Sequence, residues 1–273
     1  MKRLLLHVCF LVLLASCGKF NRLQKHGTTE QKYQAAVRYF EKKDYYRASV
    51  LFEDVIPVLK GTEQSEKANY YYAYAQYYQG NLLLASAYFK RFSETFPRSE
   101  YKEDALYMYA RSLFEDVPKY SLDQTNAYDA RKGIQNFLNL YPQSQHLEDC
   151  HFMLDNINYK LEIKTYYLSR AYYRQRHYKA AVVALENFKK DFPGSQYCEE
   201  ATYMILDAKY SYAKHSLEEK QKERYQAAIE YYQSYLDEYP NGKFLKKAET
   251  IYAKSVKELE ALPFRHHHHH AQN

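Results

Sequence analysis

Hydrophobic positions recur with one spacing along most of the chain. Each of five segments carries an alanine, a large apolar or aromatic residue four positions later, and another three positions after that. Spacings of four and three place side chains on one face of an α-helix. We therefore predict five helices that bury the same face: Ala48-Phe52-Val55, Ala85-Phe89-Phe92, Ala130-Ile134-Phe137, Ala181-Leu185-Phe188 and Ala228-Tyr232-Tyr235.

A proline follows the alanine by twelve residues in the last four segments. Each proline stands after Phe or Tyr, and proline disfavours the helical conformation in the residue before it. These prolines are Pro97, Pro142, Pro193 and Pro240. Two positions later stand residues that favour helix N-caps, Ser99, Ser144, Ser195 and Gly242. Each junction is predicted to end one helix at the proline and to begin the next at the serine or glycine.

Helix-turn-helix units with this spacing resemble the tetratricopeptide repeat. Small residues also stand twelve positions before the first two alanines, at Ala36 and Ala73, where paired helices approach closely. The resemblance implies an all-α, tetratricopeptide-like solenoid of five repeats over residues 28–241. A capping helix is predicted over residues 242–262.

Composition agrees with an all-helical protein. Seven glycines and seven prolines are few for 273 residues, and many short strands would need more turn residues. The net charge of +6 is spread along the chain rather than concentrated, which argues against nucleic acid as a partner. The 33 tyrosines and the lack of tryptophan make tyrosine the main aromatic residue of both core and surface.

The N-terminal segment has the order of a secretory signal. Two basic residues precede an apolar run over residues 4–14, which is shorter than the ~20 residues of a spanning helix. Leu14-Ala15-Ser16-Cys17 resembles the bacterial lipobox, whose cysteine becomes an acylated N-terminus. We expect a signal peptide over residues 1–16, lipidation of Cys17 and a linker over residues 17–27. The alternative is a free cysteine at an ordinary cleavage site.

Residues that could carry chemistry are better explained by packing. Cys150 and Cys198 occupy apolar positions of the repeat, and the sequence leaves open whether they form a disulfide. His146 replaces an aromatic residue of the repeat. His266–His270 lies in a tail over residues 263–273 that is predicted to be disordered, and it is either native or a purification tag. We find no phosphate loop or hydrolase motif, and we predict no enzyme, no cofactor and no metal site.

A binding groove is implied by the repeat resemblance. In that family, positions 2, 5, 9 and 12 of each first helix line a concave wall. Counting back from the alanine as position 20 places tyrosine or phenylalanine on that wall, which suits peptides with aromatic side chains. Packing between helices is the alternative role for each. The candidates are Tyr33, Phe40, Tyr70, Tyr74, Tyr77, Tyr166 and Tyr173.

The lipobox, the five repeats and the Phe/Tyr-Pro-x-Ser junctions together resemble the BamD family of outer-membrane assembly lipoproteins. That resemblance implies a lipid-anchored scaffold on the periplasmic side of the outer membrane. Its partners would be a BamA-like β-barrel subunit, docked on the C-terminal repeats, and unfolded outer-membrane proteins, received by the N-terminal repeats. A periplasmic scaffold for cell-envelope or division proteins, and a glycan-binding lipoprotein, are the alternatives.

Overall fold

The computed structural model describes the backbone of residues 19–270 and the side chains from Lys19 to Leu262. The chain forms two compact units, which meet in sequence between Ile157 and Asn158. All regular structure in the described part of the chain is α-helical, which confirms the predicted fold class. No helix in residues 19–270 is long and apolar enough to cross a membrane. The signal peptide and Cys17 lie outside the described residues.

The first unit consists of helical pairs. After a helical stretch over residues 19–26, which we call α1, its helices are α2 (Thr29–Glu41), α3 (Tyr45–Val55), α4 (Gln64–Tyr78), α5 (Leu82–Thr95), α6 (Lys102–Glu115) and α7 (Thr125–Leu140). The pairs α2–α3, α4–α5 and α6–α7 are the first three predicted repeats. The long helix α8 (Leu147–Arg174) begins in this unit and ends in the second.

The second unit contains the later part of α8 and the remaining helices, α9 (Tyr178–Asp191), α10 (Cys198–Lys214), α11 (Glu218–Glu238) and α12 (Leu245–His270). The pairs α8–α9 and α10–α11 are repeats four and five. The backbone of α12 continues to His270, whereas the sequence predicts a disordered tail from residue 263. The stretch after Leu262 contains no glycine, the residue that most often ends a helix.

The alanines of the repeat explain how closely the helices approach. A methyl side chain leaves room for a neighbouring backbone, and all five are fully buried: Ala48, Ala85, Ala130, Ala181 and Ala228. The larger residues of the pattern are buried beside them, except Tyr232, which is partly exposed. Burying a side chain such as Phe52 or Phe89 contributes about 1.5–3 kcal/mol. The repeat pattern therefore describes the core of each helix pair.

The serines after the proline are not N-caps, so that part of the prediction is wrong. Helix α6 begins at Lys102, and the hydroxyl of Ser99 accepts a hydrogen bond from the Tyr101 amide at 3.0 Å. The same hydroxyl donates to Glu66 Oε1 at 2.5 Å. The helix starts later because a tight turn comes first, closed by a Lys102 amide bond to the Ser99 carbonyl. This serine therefore ties the turn to the first helix of the preceding repeat.

A left-handed residue stands five positions before the alanine in three of the repeats. Gly80 has a φ of 78°, and the equivalent residues Lys43 and Arg176 have φ values of 60° and 63°. Glycine adopts this conformation without steric cost, whereas other residues do so at a cost. In these three repeats the turn between the two helices therefore has one backbone shape with different side chains.

Candidate functional site: an aromatic pocket in the first two repeats

The first unit contains a pocket of about 360 Å³ between the first two repeats. It is bounded by the end of α2, the start of α3 and one face of α4. Aromatic side chains form most of its wall, and one acidic and one basic residue complete it. The lining residues are Phe40, Glu41, Lys43, Tyr45, Tyr70, Tyr71, Tyr74 and Tyr78.

Two stacked pairs of rings shape this pocket. The rings of Phe40 and Tyr71 lie 4.3 Å apart with an angle of 14° between their planes. Those of Tyr45 and Tyr78 lie 4.5 Å apart at 23°. Tyr78 is still 51% exposed. The pocket therefore offers aromatic faces and edges that a guest ring can reach from solvent.

One carboxylate fixes two of the tyrosines. The hydroxyls of Tyr70 and Tyr74 both donate to Asp104 Oδ2, at 2.6 Å and 2.5 Å. Burial first, and then the hydrogen bond with Asp104, raise the pKa of both phenols well above the ordinary value. Both tyrosines therefore stay neutral. Because their hydroxyls are hydrogen-bonded to Asp104 of α6, the two residues line the pocket with their rings.

Of the seven predicted groove residues, Phe40, Tyr70 and Tyr74 come together in this pocket. Tyr77 is not among the lining residues, and its hydroxyl donates to Glu115 Oε1 at 2.7 Å. Tyr77 lies on the same helix, but its side chain contacts α6. The prediction also missed Tyr45, Tyr71 and Tyr78, which the repeat positions used for the groove do not include.

Two predicted groove residues are buried, so their assignment to an exposed wall is wrong. Tyr33 is 7% exposed and belongs to the core of the first repeat. Tyr166 is 1% exposed in the second unit, where its ring stacks on Tyr197 at 4.2 Å. Neighbouring helices cover both rings. Tyr173 is partly exposed, and its hydroxyl donates to Asp207 at 2.5 Å.

The second unit has a different surface at the equivalent place. A cavity of about 390 Å³ is lined by Tyr167, Arg170, Ala171, Arg174 and Gln175 of α8. Counting from the alanine of each repeat, Arg170 stands where Tyr74 stands, and Arg174 stands where Tyr78 stands. This surface is therefore basic, whereas the pocket of the first unit is aromatic.

A recurring contact between successive repeats was not recognised in the sequence. Tyr70 donates to Asp104, Tyr107 donates to Asp149, and burial together with a hydrogen bond to Glu200 raises the pKa of Tyr166. Each tyrosine stands three positions before a small residue of its own helix: Ala73, Ala110 or Ser169. Each acid directly precedes a second small residue, in the first turn of the next first helix: Ala105, Cys150 or Ala201. A tyrosine three positions before a small residue in one first helix, together with an acid directly before a small residue in the next, is the sequence pattern that predicts this contact.

The cysteines and His146 pack as predicted. Cys150 and Cys198 are buried free thiols, and burial raises the pKa of Cys150 to about 11. His146 stacks on Tyr107, with ring centres 3.8 Å apart. Within residues 19–262 there is no group of three or more His, Cys, Asp or Glu side chains that could hold a metal ion.

Comparison with known proteins gives consistent results. The family model described as YfiO, outer membrane lipoprotein, matches residues 25–171 and 165–261. The chain is 21% identical over 219 residues to the outer membrane protein assembly factor BamD of Rickettsia prowazekii, covering 80% of this chain and 83% of that protein. It is 24% identical over 164 residues to the putative outer membrane protein assembly factor BamD of Aquifex aeolicus, covering 59% and 54%.

Proposed function

Because the chain belongs to the YfiO family of outer membrane lipoproteins, we propose that it is an assembly factor for outer membrane proteins. The names of its relatives from Rickettsia prowazekii and Aquifex aeolicus support this role. It acts as a non-enzymatic scaffold, as its family does. Acyl chains on Cys17 hold it at the outer membrane, and its repeats face the periplasm.

The aromatic pocket of the first unit is the observation that carries this proposal. An unfolded outer-membrane protein that ends in an aromatic residue presents a ring and a terminal carboxylate. The ring packs against the stacked pairs Phe40–Tyr71 and Tyr45–Tyr78. Each aromatic contact contributes about 0.5–1.5 kcal/mol beyond the area it buries. Lys43 lies in the lining and pairs with the carboxylate.

The basic surface of the second unit suits a folded partner with acidic groups. Arg170 and Arg174 stand one helical turn apart on α8, and Tyr167 beside them is exposed. Arginine binds carboxylates through two parallel hydrogen bonds and stacks on aromatic rings. We assign this surface to the docking of a BamA-like barrel-forming subunit. The two units then have separate roles, one for the substrate and one for the machinery.

Co-purification tests the assembly role. The intact lipoprotein is extracted from its own membranes in mild detergent, captured, and its bound proteins are identified by mass spectrometry. We expect a large β-barrel protein at near-stoichiometric amount. Recovery of cell-division or peptidoglycan-associated proteins without a β-barrel protein would instead support the alternative scaffold role and contradict the proposal.

Peptide binding tests the pocket. A peptide ending in phenylalanine is titrated against the protein and against the Tyr45→Ala, Tyr78→Ala double variant, which leaves the Asp104 contacts intact. Loss of both rings should weaken binding about tenfold. Tyr46→Ala is the matched control, because Tyr46 neighbours Tyr45 on α3, is 66% exposed and does not line the pocket. Equal effects in variant and control would show that the pocket is not the binding site.

A further inference from the structure

The helical stretch α1 is fixed to the first repeat. Phe20 is 7% exposed, and its ring meets the edge of Tyr39 with ring centres 5.8 Å apart. The guanidinium of Arg47 lies 5.6 Å from the centre of the Phe20 ring. The side chain of Leu23 also packs against this core. These contacts hold α1 in one place, so the charges it carries have a defined position on the first repeat.

A cleft of about 660 Å³ lies between α1 and α2. Its cationic lining residues are Lys19 and Arg22 from α1 and Arg38 from α2, with His26 near the turn. A second cleft of about 210 Å³ shares Lys19, Leu23 and Arg38 and adds Lys42. The two clefts together form one basic surface, which we call the α1 cleft.

The single acidic residue of the α1 cleft is already engaged. Glu30 accepts hydrogen bonds from Gln34 at 2.8 Å and from Gln64 at 2.9 Å. Lys19, Arg22, Arg38 and Lys42 are all exposed. Four cationic side chains of the α1 cleft therefore face solvent, and such a surface attracts anions.

The position of the α1 cleft in the chain identifies the anion. This step rests on the proposed lipidation of Cys17, which stands two residues before Lys19. Two extended residues span about 7 Å. A lipid anchor at Cys17 would leave almost no slack and would place Lys19 and Arg22 at the depth of the phospholipid headgroups. A chain anchored in this way meets the headgroups of anionic phospholipids at the membrane surface before it meets a soluble ligand.

We infer that the α1 cleft binds the headgroups of anionic membrane phospholipids and thereby sets the orientation of the first unit on the membrane. Acyl chains alone attach a protein but leave it free to tilt. A basic side chain near an anionic membrane surface increases the docked population about fivefold. Lys19 and Arg22 on α1, Arg38 on α2 and Lys42 directly after α2 hold both helices against the headgroups.

Hydrogen–deuterium exchange on the purified, acylated protein tests this inference. The protein is placed in vesicles of phosphatidylcholine alone, or of phosphatidylcholine with roughly one third phosphatidylglycerol as the anionic lipid. We expect amides of α1 and of Thr29–Glu41 to exchange more slowly in the anionic vesicles. The Arg22→Glu, Arg38→Glu variant should lose that difference. Raising the salt to about 0.5 M should weaken it in the native protein because salt screens the charges.

Matched variants distinguish the effect of charge reversal at the α1 cleft from the effect of charge reversal elsewhere on the first unit. Arg91→Glu with Arg98→Glu makes the same change at two exposed residues elsewhere in the first unit and should keep the protection. Arg22→Gln with Arg38→Gln gives a milder version if the reversal disturbs folding, which circular dichroism checks. Equal protection in the two kinds of vesicle, or equal loss in both variant pairs, overturns the inference.

Two further measurements distinguish the possible failures. Inorganic phosphate is added to the protein in detergent, and protection equal to that in anionic vesicles would identify a free-anion site and overturn the membrane assignment. Mass spectrometry of the N-terminal peptide reports acylation. An unacylated Cys17 would remove the anchor on which both the proposed function and this inference rest, whereas an acylated protein without lipid-dependent protection contradicts the inference alone.

Discussion

Helices α4 and α8 are equivalent first helices of two repeats, and equivalent positions of α4 and of the later part of α8 carry different chemistry. Tyr70 and Tyr166 occupy the same position, and each is held by an acid of the following first helix. At the two neighbouring surface positions, α4 carries Tyr74 and Tyr78, whereas α8 carries Arg170 and Arg174. The tyrosine and its acid are therefore common to both helices, and we propose that the residues one and two turns further along set the ligand of each surface.

Replacing the carboxylates should give the largest difference between the units. Asp104→Ala leaves two partly buried hydroxyls without their acceptor, whereas Asp207→Ala leaves only that of Tyr173. A hydrogen bond to a charged group contributes about 1.5–3 kcal/mol, so we expect losses of about 3 and about 1.5 kcal/mol in the free energy of unfolding. Urea denaturation followed by circular dichroism measures both.

Asp104→Asn is the control for this experiment, since its neutral amide oxygen can still accept both hydrogen bonds that Oδ2 accepts. It should recover at least half of the stability that Asp104→Ala loses. Equal stabilities for the two alanine variants would show that the second tyrosine contributes nothing to the anchoring of α4.

Alkaline pH tests whether the tyrosine–carboxylate contacts stabilise both units. Burial first, and then the hydrogen bond with Asp149, raise the pKa of Tyr107 to about 12. Because this pKa is above the unfolded value of about 10, the contribution of Tyr107 is complete below about pH 10 and is lost as the pH rises from about 10 to about 12. The loss is on the order of 2 kcal/mol. The pKa of Tyr173 is raised as well, by burial and then by Asp207.

The measurement is the free energy of unfolding between about pH 8 and pH 12 for the native chain, Tyr107→Phe and Tyr173→Phe. Each phenylalanine variant should lose less stability over the alkaline range than the native chain does, because it has one titrating phenol fewer. Parallel curves for all three proteins would contradict the assignment.

Exchanging the surface residues tests whether they set the ligand. Tyr74→Arg with Tyr78→Arg gives α4 the surface residues of α8, and the arginine that replaces Tyr74 can still pair with Asp104. We expect about tenfold weaker binding of a peptide ending in phenylalanine, measured by isothermal titration calorimetry. The reverse exchange, Arg170→Tyr with Arg174→Tyr, should leave that affinity unchanged. If only the reverse exchange weakens the peptide, the substrate surface lies on the second unit.

The smallest expected effect concerns the turns. Gly80 and Arg176 are equivalent left-handed residues, and a Cβ added at Gly80 would meet no atom within 4 Å. Gly80→Ala should therefore cost about 1 kcal/mol through the backbone conformation alone. Arg176→Gly should change stability by less than about 0.5 kcal/mol, since the relief of strain is offset by a more flexible unfolded chain. Thermal denaturation of the two variants measures the difference.

The sequence was sufficient for the helix pairs and the family. Alanine, a large residue and proline at fixed spacing are consequences of helix packing, and the resemblance to the BamD family is confirmed. Burial depth was harder to predict. The repeat position predicts the face of the helix on which the side chains of Tyr33 and Tyr166 lie. Whether a neighbouring helix covers each ring depends on side chains elsewhere in the chain.

The pocket was predicted only in part for a related reason. Tyr71 and Tyr78 directly follow residues counted in the groove positions, and Tyr45 opens the second helix of the first repeat. Their rings meet because α2, α3 and α4 converge, and no spacing within one helix reports that convergence. With 33 tyrosines in the chain, composition could not distinguish these three from the others.

Asp104 belongs to the third repeat, yet it holds two tyrosines of a pocket that the first two repeats line. The repeats are consequently not interchangeable modules. A hybrid protein that kept the first two repeats and received a foreign third one would retain every lining residue and still lose the arrangement of its rings. Engineering or evolutionary exchange of these units has to move the acid together with the aromatic residues that it serves.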